Sequence, residues 1–296
     1  MLQAKPSANQ PYARLSFDGY KLDCALSRAQ LFNKMVDPYK LQPMNLSLSF
    51  SACAGLLASL ALAVPVAVHA AGEAADGAQP VSYKFTSGLY QSTEGNLPTA
   101  QGLDLNLRAT GNFGNAWVGW FRSPVQDIKQ TRAGWDDSFK LGPVRFLPSL
   151  QVASGGFVGG SAGLEAGDTW FLGAGLGRTN LRNYVNLNFD PNDAWMLSGG
   201  YRWGNNDSVT LQVVRDNRLN LDQQHVHLVY RTPVADDQRL TLDLLNKKGL
   251  VEGLPIQRFG LSVGYDWPRY FVRLAWDPKV NFTSQDMLRL SAGTRF

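Results

Sequence analysis

At 296 residues, 44% of them hydrophobic, the chain is long enough for one large domain or two ordinary ones and has too much apolar content for a disordered one. Its 28 basic residues outnumber 24 acidic ones by only four, which argues against a nucleic-acid-binding surface. Both cysteines, Cys24 and Cys53, lie near the start, so a thiol nucleophile, a disulfide framework and a thiolate metal site are not expected in the rest.

Residues 1–43 are mixed polar sequence without periodicity. They are expected to fall outside the mature protein, with translation starting at Met35 or Met44. An apolar run follows within 44–70 and ends in small residues, Val68-His69-Ala70, the pattern of a signal peptide cleaved after Ala70. The alternative is a single membrane anchor, but the run falls short of the ~20 residues a spanning helix needs. Cys53 precedes the hydrophobic segment, which is the wrong order for a lipoprotein. The polar stretch 71–81 is read as a linker, and 82–296 as one β-domain.

From there the sequence alternates. Leu103, Leu105 and Leu107 oppose Asp104, Asn106 and Arg108; Val185, Leu187 and Phe189 oppose Asn186 and Asn188; Val209, Leu211 and Val213 oppose Ser208, Thr210 and Gln212. Val226, Leu228 and Tyr230 oppose His225, His227 and Arg231, and Leu240, Leu242 and Leu244 oppose Arg239, Thr241 and Asp243. A period of two with one apolar side predicts amphipathic strands, and turn residues such as GNFG (111–114), DPND (190–193), GNND (204–207) and DWPR (266–269) separate them. The glycine-rich 154–168 reads as a flexible outer loop.

Amphipathic strands suit a soluble sandwich or a membrane barrel, and the faces discriminate. The polar faces carry Arg, Asp, Asn and His, while Trp195, Tyr201, Trp203, Tyr230, Tyr265, Trp267, Tyr270 and Trp276 fall where interfacial girdles would sit. The expected fold is all-β, an antiparallel transmembrane barrel. Fifteen alternating segments, less the glycine-rich one, leave fourteen strands, an even number; twelve is the alternative. Outer connections are expected at 92–101, 123–129, about 155–167, 190–193, 217–223, 247–256 and 277–285. Short inner turns are expected at 178–180, 204–207, 233–237 and 266–269.

The last ten residues, MLRLSAGTRF, place Leu288, Leu290, Ala292, Thr294 and Phe296 on one face. A final strand must close on the first, because an open edge in lipid leaves backbone groups unpaired. With its terminal aromatic, this stretch resembles the C-terminal assembly signal of Gram-negative outer-membrane β-barrels. That resemblance implies export to the outer membrane, contact with its lipid and lipopolysaccharide, and handling by periplasmic chaperones and the barrel assembly machinery.

Alternation puts Arg108, Arg182, Arg202, Arg231, Arg239, Arg258, Arg273 and Arg289 on the lumen side with Asp104, Asp243, Asp266, His225 and His227. Arginine keeps its charge and offers a planar fork for carboxylate, sulfate or phosphate, so such a lumen would pass small polar, preferably anionic, solutes. In size and lumen chemistry the chain is similar to the monomeric porins for acidic oligosaccharides. Two other readings remain open. A barrel filled by Arg–Asp pairs would be plugged or purely structural, and His227 beside Asp243 forms half of a hydrolytic site, as in outer-membrane lipid-modifying hydrolases. No serine is expected beside His227, whose likelier neighbours are Gln212 and Thr210, so no catalytic residue is assigned. The carboxylates of NFDPND (188–193) are turn chemistry before they are a calcium loop. No metal or cofactor is expected.

Overall fold

The structure, a computed structural model, describes residues 80–204 and 207–296. The expectations for 1–43, for the signal peptide at 44–70 and for most of the linker lie outside the described residues. Period-two segments pair in chain order as β1 (Ser82–Thr93), β2 (Ala100–Gly111), β3 (Gly114–Ser123), β4 (Ile128–Asp136), β5 (Phe139–Leu141), β6 (Val144–Ala153), β7 (Phe157–Ala166) and β8 (Trp170–Thr179). They continue as β9 (Ala194–Trp203), β10 (Asp207–Asp216), β11 (Gln224–Ala235), β12 (Gln238–Val251), β13 (Leu254–Asp266), β14 (Tyr270–Asp277) and β15 (Asp286–Arg295).

β4 and β5 both pair with β6 in one unbroken register, Asp136 opposite Ser149 and Phe139 opposite Phe146. Between these pairs the ladder meets Pro148, which has no N–H to donate. Only the Asp137 amide bond to the Pro148 carbonyl, 3.2 Å, spans the gap. β4 and β5 are therefore one interrupted strand, and the barrel has fourteen staves.

β1 and β15 close it, from Thr93 opposite Asp286 to Lys84 opposite Arg295. Beyond them the Tyr83 amide donates to the Phe296 carbonyl (2.7 Å) and the Phe296 amide to the Tyr83 carbonyl (2.9 Å), their rings stacked 5.8 Å apart. No open edge remains among the staves. Leu288, Leu290 and Ala292 alternate with inward Arg289 and Ser291, as expected for an outward stripe.

Exposed apolar side chains ring the outside: Val118, Leu164, Leu172, Leu197, Leu211, Leu228, Leu244, Leu261, Leu274 and Leu288. Each large aliphatic side chain gains about 1.5–3 kcal/mol on leaving water. Here they remain exposed on the outer face of the barrel. Near the termini Trp170, Tyr201, Trp203 and Tyr230 follow one another at 4.5, 5.6 and 6.2 Å, and Tyr265 meets Trp267 at 4.6 Å, forming an aromatic belt. The chain is thus a closed, fourteen-stranded antiparallel barrel with an apolar exterior.

Two expectations about connections are corrected together. The glycine-rich 154–168 is not a loop: Phe157–Ala166 is β7, whose outward Val158, Ala162 and Leu164 keep the alternation that its glycines disguise. Conversely, 185–189 is not a strand. Residues 180–193 form one fourteen-residue connection between β8 and β9 at the end opposite the termini, so 178–180 is no inner turn. Leu181 and Phe189 have left-handed backbones (φ 60° and 71°), which turn the chain out of the strand direction at both ends of this stretch. The two misreadings cancel in the count. Likewise 247–256 is a tight hairpin, since the ladder runs to Val251 opposite Leu254 and Glu252 and Gly253 both take positive φ.

Candidate functional site

The connection 180–193 does not project from the barrel; it folds into the lumen. Its root is held by the buried Asp193, which accepts from the Thr179 amide (3.0 Å), the Thr179 hydroxyl (2.6 Å) and Arg218 Nη1 (3.1 Å). Gly177 leaves room for its return, because a Cβ there would stand 2.5 Å from the Asn192 carbonyl oxygen.

Backbone groups that strand pairing would have satisfied are met by side chains of the wall and of the connection between β14 and β15. The Gln130 amide bonds both the N–H and the C=O of Val185, at 2.8 and 3.1 Å. Asn281 donates to the Asn186 carbonyl (2.9 Å) and Arg289 to that of Leu187 (3.2 Å). Tyr184 stacks on Phe157 at 4.1 Å, and Leu187 is buried against Tyr90 and Phe121. The alternation of Val185, Leu187 and Phe189 is thus real, but it packs the lumen instead of facing lipid.

The loop ends its crossing at β11. Asp190 Oδ1 lies 2.7 Å from His225 Nδ1 and 3.1 Å from His227 Nε2, and His227 Nδ1 is 2.9 Å from Asp243. Burial alone would raise the Asp190 carboxyl, but the hydrogen bonds from His225 and His227 outweigh it and hold the group well below the usual carboxylate range. Nearby, Lys247, fully buried, pairs with Asp277 at 2.5 Å.

Against the wall of β10 to β15 this loop leaves a cavity of about 280 Å³, lined among others by Asp190, His227, Arg231, Asp243, Arg273 and Arg289. Here the predicted lumen residues divide. Arg231 and Arg273 are exposed and form no ion pair among the described residues, and Arg289 reaches from β15 to the loop, its guanidinium 4.7 Å from the Phe189 ring. Arg108 pairs with Asp136 (3.3 Å), Arg202 with Glu165 (2.7 Å) and Arg239 loosely with Asp266 (3.7 Å). Asp104 is buried with Arg132 at 2.7 Å. Arg258 is exposed near the long-loop end and turns back on the Gln257 carbonyl. Alternation failed for Arg182, which sits exposed in the infolded loop and not on a strand.

The His227–Asp243 pair forms as the register implied, with Gln212 opposite His227. Its second nitrogen meets Asp190 and no serine, so the nucleophile of a hydrolytic site is missing from this arrangement. Sequence reasoning missed Arg132, Glu165, Lys247 and Asp277, all on inward positions of alternating strands, and treated Asp190 as turn chemistry.

No protein-family model matches the sequence, and no curated protein does. Among solved structures the chain is similar to the Acinetobacter baumannii outer membrane protein Omp33, with 11% identity and a TM-score of 0.43 over 74% of this chain and 99% of that one. It is similar also to Salmonella typhi OmpF in complex with daunomycin (9%, 0.39, 73% and 97%) and to the NanC porin (10%, 0.37, 71% and 98%). The barrel itself is established by the chain's own closed ladder.

Proposed function

We propose that this protein is an outer-membrane channel for passive diffusion of small polar, preferably anionic, solutes. The observation that carries this reading is the pair of exposed, unpaired guanidinium groups of Arg231 and Arg273 on the wall of the lumen cavity, facing the infolded loop. The loop narrows the passage and presses a solute toward that wall. An anion is drawn in by the field of the arginines and passes between them, each contact weak enough to release it because the groups remain solvated. In this reading lipid and lipopolysaccharide cover the apolar exterior, and the outward stripe Leu288, Leu290, Ala292 and Phe296 is what the barrel assembly machinery reads.

Single-channel recording of the folded protein in a planar bilayer tests the proposal, with selectivity taken from the reversal potential in a salt gradient. Stable steps with anion preference support it. A heat-modifiable, folded barrel that gives no steps sinks it.

A further inference from the structure

Asp190, His225 and His227 bring one carboxylate oxygen and two imidazole nitrogens within 4.8 Å of one another. We propose that these three side chains bind a divalent transition-metal ion of the zinc type, latching the infolded loop to the barrel wall.

Two imidazoles and a carboxylate are a zinc donor set. Asp190 Oδ1 stands 2.7 Å from His225 Nδ1 and 3.1 Å from His227 Nε2. Ligand atoms on a tetrahedral zinc with bonds of about 2.0–2.1 Å stand roughly 3.3 Å apart, so the ion would open the Asp190–His225 distance by about 0.6 Å, change the Asp190–His227 distance little, and draw together the two ring nitrogens, which lie within 4.8 Å of each other.

The surroundings prepare both rings. Asp243 accepts from His227 Nδ1 at 2.9 Å, which turns the Nε2 lone pair toward Asp190, the carboxylate–histidine–metal arrangement that orients a ligating imidazole. His225 is 0% exposed, stacks on Phe282 at 5.2 Å, and makes its one ring hydrogen bond among the described residues to Asp190; its Nε2 has no partner. A wholly buried imidazole is thus aimed at the site. Asp190 and His227 also line the lumen cavity, so an ion reaches them from water and keeps a solvent position as its fourth ligand.

Without metal, one Asp190 oxygen is shared between both rings, and a single cation would join the three donors in its place. Binding is independent of whether the channel prefers anions, so failure of either reading leaves the other standing.

The test uses the full-length protein folded in detergent, with Cys24→Ser and Cys53→Ser so that no thiol competes. Zinc binding is measured against a chromophoric chelator, and Co2+ is added for its visible absorption. One zinc per chain and the intense d–d bands of a four-coordinate Co2+ are expected. His225→Ala and His227→Ala should each weaken binding by more than about 100-fold, beyond the range of an outer-shell partner. Asp243→Asn, which removes a positioning residue, should weaken it about 10–100-fold with stoichiometry kept, and Asp243→Glu should restore it. No zinc uptake by the folded parent protein, or unchanged affinity in both histidine variants, overturns the proposal. Because His225 is buried, Asp190→Asn supplies a near-isosteric variant, and the Co2+ spectrum of the parent needs none; a purely octahedral spectrum there counts against the site.

Discussion

The two sides of the lumen are built from the same alternating strands and end in opposite states. Toward β1 to β4, Asp104 and Arg132 are buried together and Tyr90, Phe121 and Leu187 pack tightly. Toward β10 to β15, Arg231 and Arg273 stand exposed over a cavity. The loop 180–193 makes the difference by leaning its apolar residues on one wall. A charged residue on a lumen face is therefore no sign of conduction by itself; its partner and its cover decide.

Mutations on the two sides should separate accordingly. Asp104→Ala strands the Arg132 guanidinium in a buried place and should cost about 3–5 kcal/mol, read as a lower denaturant midpoint of the heat-modifiable band. A midpoint equal to the parent's would erase the distinction between the walls. Leu187→Ala should loosen the loop by about 2–5 kcal/mol, raising conductance and speeding proteolysis within 180–193. Unchanged conductance would mean that the loop does not set the passage.

On the open side, Arg231→Gln with Arg273→Gln should leave stability within about 0.5 kcal/mol while moving the reversal potential toward cations. A large loss of stability there would make these arginines structural as well. Acidification should have the smallest effect. The Asp190 carboxyl is held below its unfolded value, so its stabilising contribution is complete above the ordinary carboxylate range and is lost only as pH falls through the depressed value. In the metal-free protein, conductance should therefore show no loop-release step between about pH 7 and pH 4, and a step in that window would show that Asp190 does not latch the loop.

Much of the fold was legible because period-two patterning reports faces directly. Leu240, Leu242 and Leu244 opposite Arg239 and Asp243 could have been read only one way. What patterning cannot report is the medium beyond a face. Val185, Leu187 and Phe189 alternate as well as any strand, yet their apolar side meets Tyr90 and Phe121 inside the barrel. The glycines of β7 hid a strand for the converse reason, since a small inward residue gives neither polar nor apolar signal. For the site, register sufficed to join His227 to Asp243 across one hairpin. Asp190 reaches the same histidine only through the infolding of a whole connection, which no local spacing encodes.

The seam between Tyr83 and Phe296 has a kinetic consequence. Its partners lie roughly two hundred residues apart in sequence, so the pairing that removes the last free edge carries a high loop-closure entropy and is expected to form late. Until it does, β1 and β15, each paired only with its chain neighbour, present two long free edges able to capture a strand of another chain. The rate of barrel formation, and the yield lost to aggregation, should therefore be governed by how quickly these two distant strands meet.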